Sequence, residues 1–229
     1  MPYLNEQGVP EYMQDALNQI LQIRIRRQMP VTKYPTSPKE PINIAQFLGN
    51  YCKSVANGTH LFKREFEFIT LTSRNRLQFL RLLEKSFAVG LGDETLGIAD
   101  FHSLVELLCP DFPEAICHDV YEIIKDEEKT LEKILVHLRF RLLFLEFVDR
   151  AKEKFSDPEV TLEKILDDLS VVAGTLRDNF LPSPKIYSLK EHVPNLKTEG
   201  ASRAWELFAI LSKDPKVISL IDSLEFDSV

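Results

Sequence analysis

Residues 130–155 read TLEKILVHLRFRLLFLEFVDRAKEKF. Spacings of three and four put Leu131, Leu135, Leu138, Leu142, Leu145 and Val148 on one side of a helix. The same spacings put Phe140, Phe144, Phe147, Ala151 and Phe155 on another side. A helix that is apolar on two sides must be surrounded, so one long helix over 130–155 is expected at the centre of its domain. Its most apolar part, 134–148, carries His137, Arg139, Arg141 and Glu146. A membrane span needs about 20 apolar residues with few charges, so this stretch reads as a buried core helix instead.

Working outward, helical periodicity recurs almost everywhere. Over 10–24, Met13, Ala16, Leu17, Ile20 and Leu21 share a face, with Pro10 suited to a first turn. The four-proline stretch at 26–41 is expected to be a loop. Over 41–58, Ile44, Phe47, Leu48, Tyr51, Cys52 and Val55 form a second apolar stripe, which places the Cys52 thiol in the core, and Gly58 ends it. Residues 59–70 suit a helix through Phe62 and Phe66, or a strand through Phe66 and Phe68; helix is the expectation. Further helices are expected over 72–90, 95–109, 113–126 and 160–180. After a proline-rich link at 181–200, two short ones follow near 201–212 and 215–224. No strand pattern of any length occurs, so the expected class is all-α.

ELLCPDFP, residues 106–113, marks a corner. Pro110 pushes Cys109 out of helical geometry, Asp111 suits an N-cap and Pro113 a first turn. Cys109 then reads as the last buried residue of a helix.

The 229 residues are enough for one large or two small domains. The three cysteines are odd in number and widely spaced, and no secretory signal opens the chain; both point to a reducing compartment. The net charge of −7 gives no general attraction to nucleic acid. Neither CxxC nor HxxxH spacing occurs among His102, Cys109, Cys117 and His118, the nearest approach to a zinc set. His102 and Cys109 lie two helical turns apart, a weak basis for a thiolate–imidazole pair. GxxxxGK[ST], GxSxG and HExxH motifs are missing. No catalytic residue, metal or cofactor is therefore assigned, and the chain is expected not to be an enzyme.

Two acidic turns, 90–101 and 125–138, sit between helices with the rhythm of an EF-hand pair. Calcium needs oxygens at loop positions 1, 3, 5 and 12 and Gly at 6. Counting from Asp126, Leu131 stands where Gly belongs and His137 where Glu belongs. The expectation is an EF-hand-like arrangement that has lost its ligands.

Charge is uneven. Residues 60–85 hold six bases and three acids, whereas 114–170 hold fifteen acids and nine bases. Lys63, Arg64, Arg74, Arg76 and Arg81 are the candidate patch for an acidic partner.

GTHLFKREFEFITLTSRNRLQFLR (58–81), FHSLVELLCPDFP (101–113) and YMQDALNQIL with IAQFLGNYCKSVANGTH together resemble the centriolar satellite-associated tubulin polyglutamylase complex regulators. LFLEFVDRA (143–151) and WELFAILSKDPKVISLIDSL (205–224) extend the resemblance in the same order. The loop at 25–41 is longer than the family pattern, and the family's polar tail is missing after the last helix. The resemblance implies a non-catalytic regulator linked to microtubules, centriolar satellites and cilia. Its implied partners are polyglutamylase subunits, tubulin and satellite proteins, with neither nucleic acid nor membrane insertion. The implied location is cytoplasmic, at satellites, centrosome and cilium base.

The two N-terminal helices more distantly resemble the dimerisation–docking module of kinase A regulatory subunits. That resemblance implies a homodimer and a partner surface of Tyr12, Leu17, Ile20, Leu21, Phe47, Leu48 and Tyr51. The expected organisation is an N-terminal hairpin (1–57), a helical core (58–180) and a linked C-terminal pair of helices (181–229).

Overall fold

In a computed structural model of the chain, residues 9–28, 43–91, 94–157, 160–179 and 181–226 are described. Among them the fold is all-α: twelve α-helices, two 3-10 turns and one isolated β-bridge. The proline loop foreseen at 26–41 falls almost wholly outside the described residues, as do the first eight residues and Phe180.

The chain divides into two compact units, Met1–His60 and Leu61–Val229. The first is a hairpin of α1 (Val9–Gln28) and α2 (Ile44–Ala56). Asn43 caps α2 by accepting the Gln46 amide at 3.0 Å. Tyr12, Ala16 and Tyr51 form its small core, with Phe47, Leu48 and Val55 packed around them. The Tyr51 hydroxyl donates to buried Asp15 at 2.7 Å, and Gln19 donates to the same carboxylate oxygen at 2.9 Å.

The second unit holds α3 (Phe66–Thr70), α4 (Ser73–Leu91), α5 (Ile98–Glu106), α6 (Glu114–Ile123), α7 (Leu131–Leu143), α8 (Leu145–Phe155), α9 (Leu162–Asp178), α10 (Ile186–His192), α11 (Ser202–Leu211) and α12 (Pro215–Phe226). α4 and α6 pack on α7, α9 packs on α8, and α11 bridges α6 and α8. The α7–α8 segment is central, as its two apolar faces require: Leu138, Phe140, Leu142, Phe144, Phe147, Val148 and Ala151 are all buried.

The expected single helix over 130–155 is two helices. Phe144 leaves helical geometry at φ −100°, ψ 34°. Its amide still reaches the Phe140 carbonyl at 3.0 Å, but the Leu142 and Leu143 carbonyls leave the ladder. Arg76 takes both, at 3.2 and 3.3 Å, so the interruption leaves neither acceptor unmet.

Residues 59–70 also depart from the expected helix. They form a 3-10 turn at Thr59–Leu61, a corner and the short α3. The corner turns at Lys63, whose φ is 56°. The C-terminal segment 181–229, read above as a link with two helices, contributes Leu189, Val193, Leu207, Phe208, Leu211, Val217 and Ile221 to the same core as residues 61–180.

The α4–α5 and α6–α7 pairs are helix–loop–helix units. Their loops meet at an antiparallel bridge between Thr95 and Thr130, with the Leu96 amide on the Lys129 carbonyl at 2.9 Å. The Tyr121 hydroxyl, 2.8 Å from the Leu96 carbonyl and 3.0 Å from that of Gly97, pins the first loop.

Candidate interaction surfaces

The corner at 106–113 is a structural lock. The Cys109 amide closes α5 on the Val105 carbonyl at 2.9 Å, and the thiol donates to Asp111 at 3.3 Å. Asp111, expected to cap the helix that follows, caps nothing there: α6 begins after Pro113 without a side-chain cap. Its carboxylate instead accepts the Phe66 amide, the first of α3, at 2.8 Å. Pro113 explains the exchange. It occupies the cap position itself, which leaves the Asp111 carboxylate for a distant amide.

The ring of Phe112 packs edge-on against Phe66 at 5.2 Å and lies against Phe79 at 6.0 Å. The Lys63 amide donates to the Leu108 carbonyl at 2.8 Å. The 58–81 and 101–113 stretches are therefore bound to one another at four points.

Neither Cys109 nor Cys117 is held as a thiolate. Burial pushes the Cys109 thiol up to about 12, reinforced by its hydrogen bond to Asp111. Burial, with the charges of Glu114 and Glu106, pushes Cys117 to about 12 as well. His102 spends its Nε2 proton on the Phe112 carbonyl at 2.7 Å, so that nitrogen is no base for a thiol. His118 is exposed beside Glu114 while Cys117 is buried. Among the described residues, no three His, Cys, Asp or Glu side chains converge on a metal position.

The basic stretch divides. Arg76 is only 3% exposed and grips Glu146 with two nitrogens, at 2.9 and 2.5 Å, while also donating to the Thr70 carbonyl. It is a core cross-link and does not belong to a surface patch. Periodicity could not reveal this, because a buried arginine needs a partner 70 residues away. Arg64 is half-buried, stacked over the Phe68 ring at 3.7 Å and paired with Glu65. Arg74 is half-buried, and Lys63 and Arg81 are exposed.

A second buried network was equally illegible. Arg141 joins Asp119 at 2.8 Å and Asp149 at 2.6 Å, and Lys152 reaches the other Asp119 oxygen at 2.7 Å. These pairs tie α6, α7 and α8 together.

In the hairpin the expected partner surface also divides. Tyr12, Ile20 and Tyr51 are buried, and Phe47 and Leu48 are half-buried. Leu17 and Leu21 are 50% and 53% exposed, in a row with Val9, Met13 and Ile25. Both rows step by four residues, and the offset of one residue sets the exposed row about 100° around the helix from the buried Tyr12–Ala16–Ile20 row. Cys52, expected in the core, is exposed, because α2 buries only the Tyr51 side of its stripe.

No family model and no solved structure matches the chain. Curated proteins do. A Homo sapiens protein named centriolar satellite-associated tubulin polyglutamylase complex regulator 1 is 30% identical over 161 residues, 68% of this chain and 45% of the relative. The Mus musculus protein of that name shows the same identity and coverage, and the Danio rerio one is 27% identical over 161 residues. The chain thus spans less than half the length of the curated relatives it matches. By this match the chain belongs to the family of centriolar satellite-associated tubulin polyglutamylase complex regulators.

Proposed function

We propose that this chain is a non-catalytic regulator of a tubulin polyglutamylase complex, acting by protein binding at microtubules and centriolar satellites. The observation that carries the reading is its 30% identity to curated proteins with that name. The chemistry of the chain agrees with it: its buried thiols are held protonated, and its buried ion pairs serve as cross-links between helices. The partners are polyglutamylase subunits, tubulin and satellite proteins, and the location is cytoplasmic, extending to the cilium base.

The test is a tagged pull-down of the chain from ciliated cells, read by mass spectrometry. Enrichment of polyglutamylase subunits over an untagged control supports the reading. Recovery of kinase-anchoring or axonemal spoke proteins without them favours the second reading.

That second reading is a kinase-A-regulatory-subunit-like dimerisation and docking module. The exposed row Val9, Met13, Leu17, Leu21 and Ile25 on α1 favours it, because a long apolar row is costly to leave in water.

A further inference from the structure

Counted from Asp126, the turn that leads into α7 ends on His137, the twelfth position, where a calcium loop carries its bidentate glutamate. Side chains of the protein close this turn. His137 is buried, and its Nε2 faces Oε1 of Glu127 at 3.5 Å. The same Oε1 accepts the Lys213 ammonium at 2.6 Å. On its other side the ring meets the Ser212 hydroxyl through Nδ1 at 2.9 Å, and that hydroxyl donates to the Ala209 carbonyl at 3.1 Å. The Ser212 oxygen therefore accepts from Nδ1, and Nε2 is left to face Glu127. One carboxylate oxygen stands between a permanent cation and a group that becomes one on protonation.

These contacts converge on the 212–216 corner between α11 and α12. Ser212 meets His137, Lys213 meets Glu127, Asp214 meets His192 at 3.2 Å, and Lys216 meets Glu191. The cations of α7 itself are engaged elsewhere: Lys133 with Glu128, Arg139 with Asp222 of α12, and Arg141 with Asp119 of α6 and Asp149 of α8. Arg76 of α4 is taken up by Glu146. Glu132, five residues before His137, lies about 140° away around the helix. His137 therefore answers to Glu127 and Lys213.

We propose that this turn is a proton-operated latch: when His137 takes up a proton, Glu127 passes from Lys213 to the imidazolium, and the 212–216 corner loosens. The proton comes from solvent and rests on Nε2, and no bond between heavy atoms breaks. Burial pushes the His137 pKa down; Glu127 supports the imidazolium and Lys213 opposes it. A depressed histidine keeps its neutral form full above the ordinary pKa and loses it as pH falls, so acid favours the exchange. Burial alone would push the Glu127 carboxyl up, but the Lys213 hydrogen bond and the His137 charge hold it below the ordinary carboxylate range. It is thus still an anion when the imidazole titrates. Lys213 is 54% exposed, so water takes over its ammonium on release. The start of α12, the helix that packs on α4, then loses one of its ties.

Hydrogen exchange of the full chain at about pH 7.5 and about pH 5.5, corrected for the intrinsic pH dependence, tests the latch. The Lys213, Asp214, Val217 and Ile218 amides close the corner on backbone carbonyls. They should lose protection about tenfold at the lower pH relative to the amides of α9. His137→Gln should abolish that loss. His192→Gln should keep it, since a protonated His192 tightens its bond to Asp214. Separately, NMR titration should show the His137 pKa rising in Lys213→Gln, because the opposing charge is gone. Lys213 is exposed, so this variant keeps its fold and decides the question even where His137→Gln fails to fold. The proposal is overturned if the parent corner keeps its protection at the lower pH, or if the loss survives in a folded His137→Gln chain. It is also overturned if Lys213→Gln leaves the His137 titration unmoved.

Discussion

Arg76 on α4 holds Glu146 on α8 with both terminal nitrogens and gives the same guanidinium to the last carbonyls of α7. One side chain thereby joins three helices at the point where the central helix breaks. The break places α7 carbonyls, at the negative end of their helix, against a cation, and puts Glu146 in the first turn of α8. Removing one member of such a group costs more than the pair contributes, because the other members lose their partner while still buried. Arg76→Met should destabilise the chain by about 3 kcal/mol in urea unfolding. Glu146→Gln should cost about 2 kcal/mol, less because Glu146 is a quarter exposed. A loss below about 1 kcal/mol for Arg76→Met would show that the carbonyls do not need the guanidinium.

The same pair sets an acid limit. Burial alone would push the Glu146 carboxyl up, but the Arg76 hydrogen bond and charge outweigh it and hold it below the ordinary carboxylate range. The folded state then binds its proton later than the unfolded one. The stabilisation is present above the ordinary carboxylate pKa and is lost as pH falls through the depressed one. Unfolding series from neutral pH downward should show this loss in the parent chain and a smaller one in Glu146→Gln.

The thiols should sort by burial. Cys52 is exposed, whereas Cys109 and Cys117 are buried and pushed up to about 12. At pH 8 a maleimide should label one site rapidly in the folded chain and all three only after denaturation. Cys109→Ser keeps a donor for Asp111, so it should cost about 1 kcal/mol of stability and leave the fold intact. Rapid labelling at Cys109 in the folded chain would contradict the lock described above.

The all-α class was legible because periodicity is a local property, and the two apolar faces over 130–155 gave the centre of the core. The break at Phe144 was not legible, since its cause is Arg76, far away in sequence. Arg76 was mistaken for surface for the same reason: charge alone does not reveal a buried partner. Cys52 is exposed where the core is expected, and Tyr12, Ile20 and Tyr51 are buried where a partner surface is expected, because one apolar stripe in a small two-helix hairpin divides between its core and its outside. In Asp111 the sequence showed a capping residue but could not show which helix it serves.

His137 should make stability rise across the weakly acidic range. It is buried on α7, its Nδ1 lies 2.9 Å from the Ser212 hydroxyl, and its Nε2 faces Glu127 at 3.5 Å. Burial pushes its pKa down, and the partial support from Glu127 is opposed by Lys213. The unfolded chain therefore takes a proton that the folded chain refuses. Stability is full above the ordinary histidine pKa near 6.5 and falls as pH drops below it. His137→Leu should flatten that part of the stability curve, at the cost of the Ser212 contact. A parent curve that is already flat between about pH 7 and 5 would mean that His137 is not held neutral.

The α1 row gives the sharpest separation between pairing and solitary packing. Val9, Met13, Leu17, Leu21 and Ile25 are exposed at four-residue steps, whereas Tyr12, Ala16 and Ile20 hold the hairpin together. Ridges of this spacing interdigitate with their own kind at a crossing of about 50°, so the row is suited to a second copy of itself. Light scattering at micromolar concentration should then report twice the mass of the 26.4 kDa chain. Leu17→Glu with Leu21→Glu should return it to one, since two buried like charges from each copy are costly to desolvate. Helical content should be unchanged, because neither leucine lies in the hairpin core. Tyr51→Phe is the matching control: it removes the hydrogen bond to Asp15, should cost about 1 kcal/mol, and should leave the mass unaltered. A monomeric parent chain would remove the pairing reading and leave α1 as a face for a different protein.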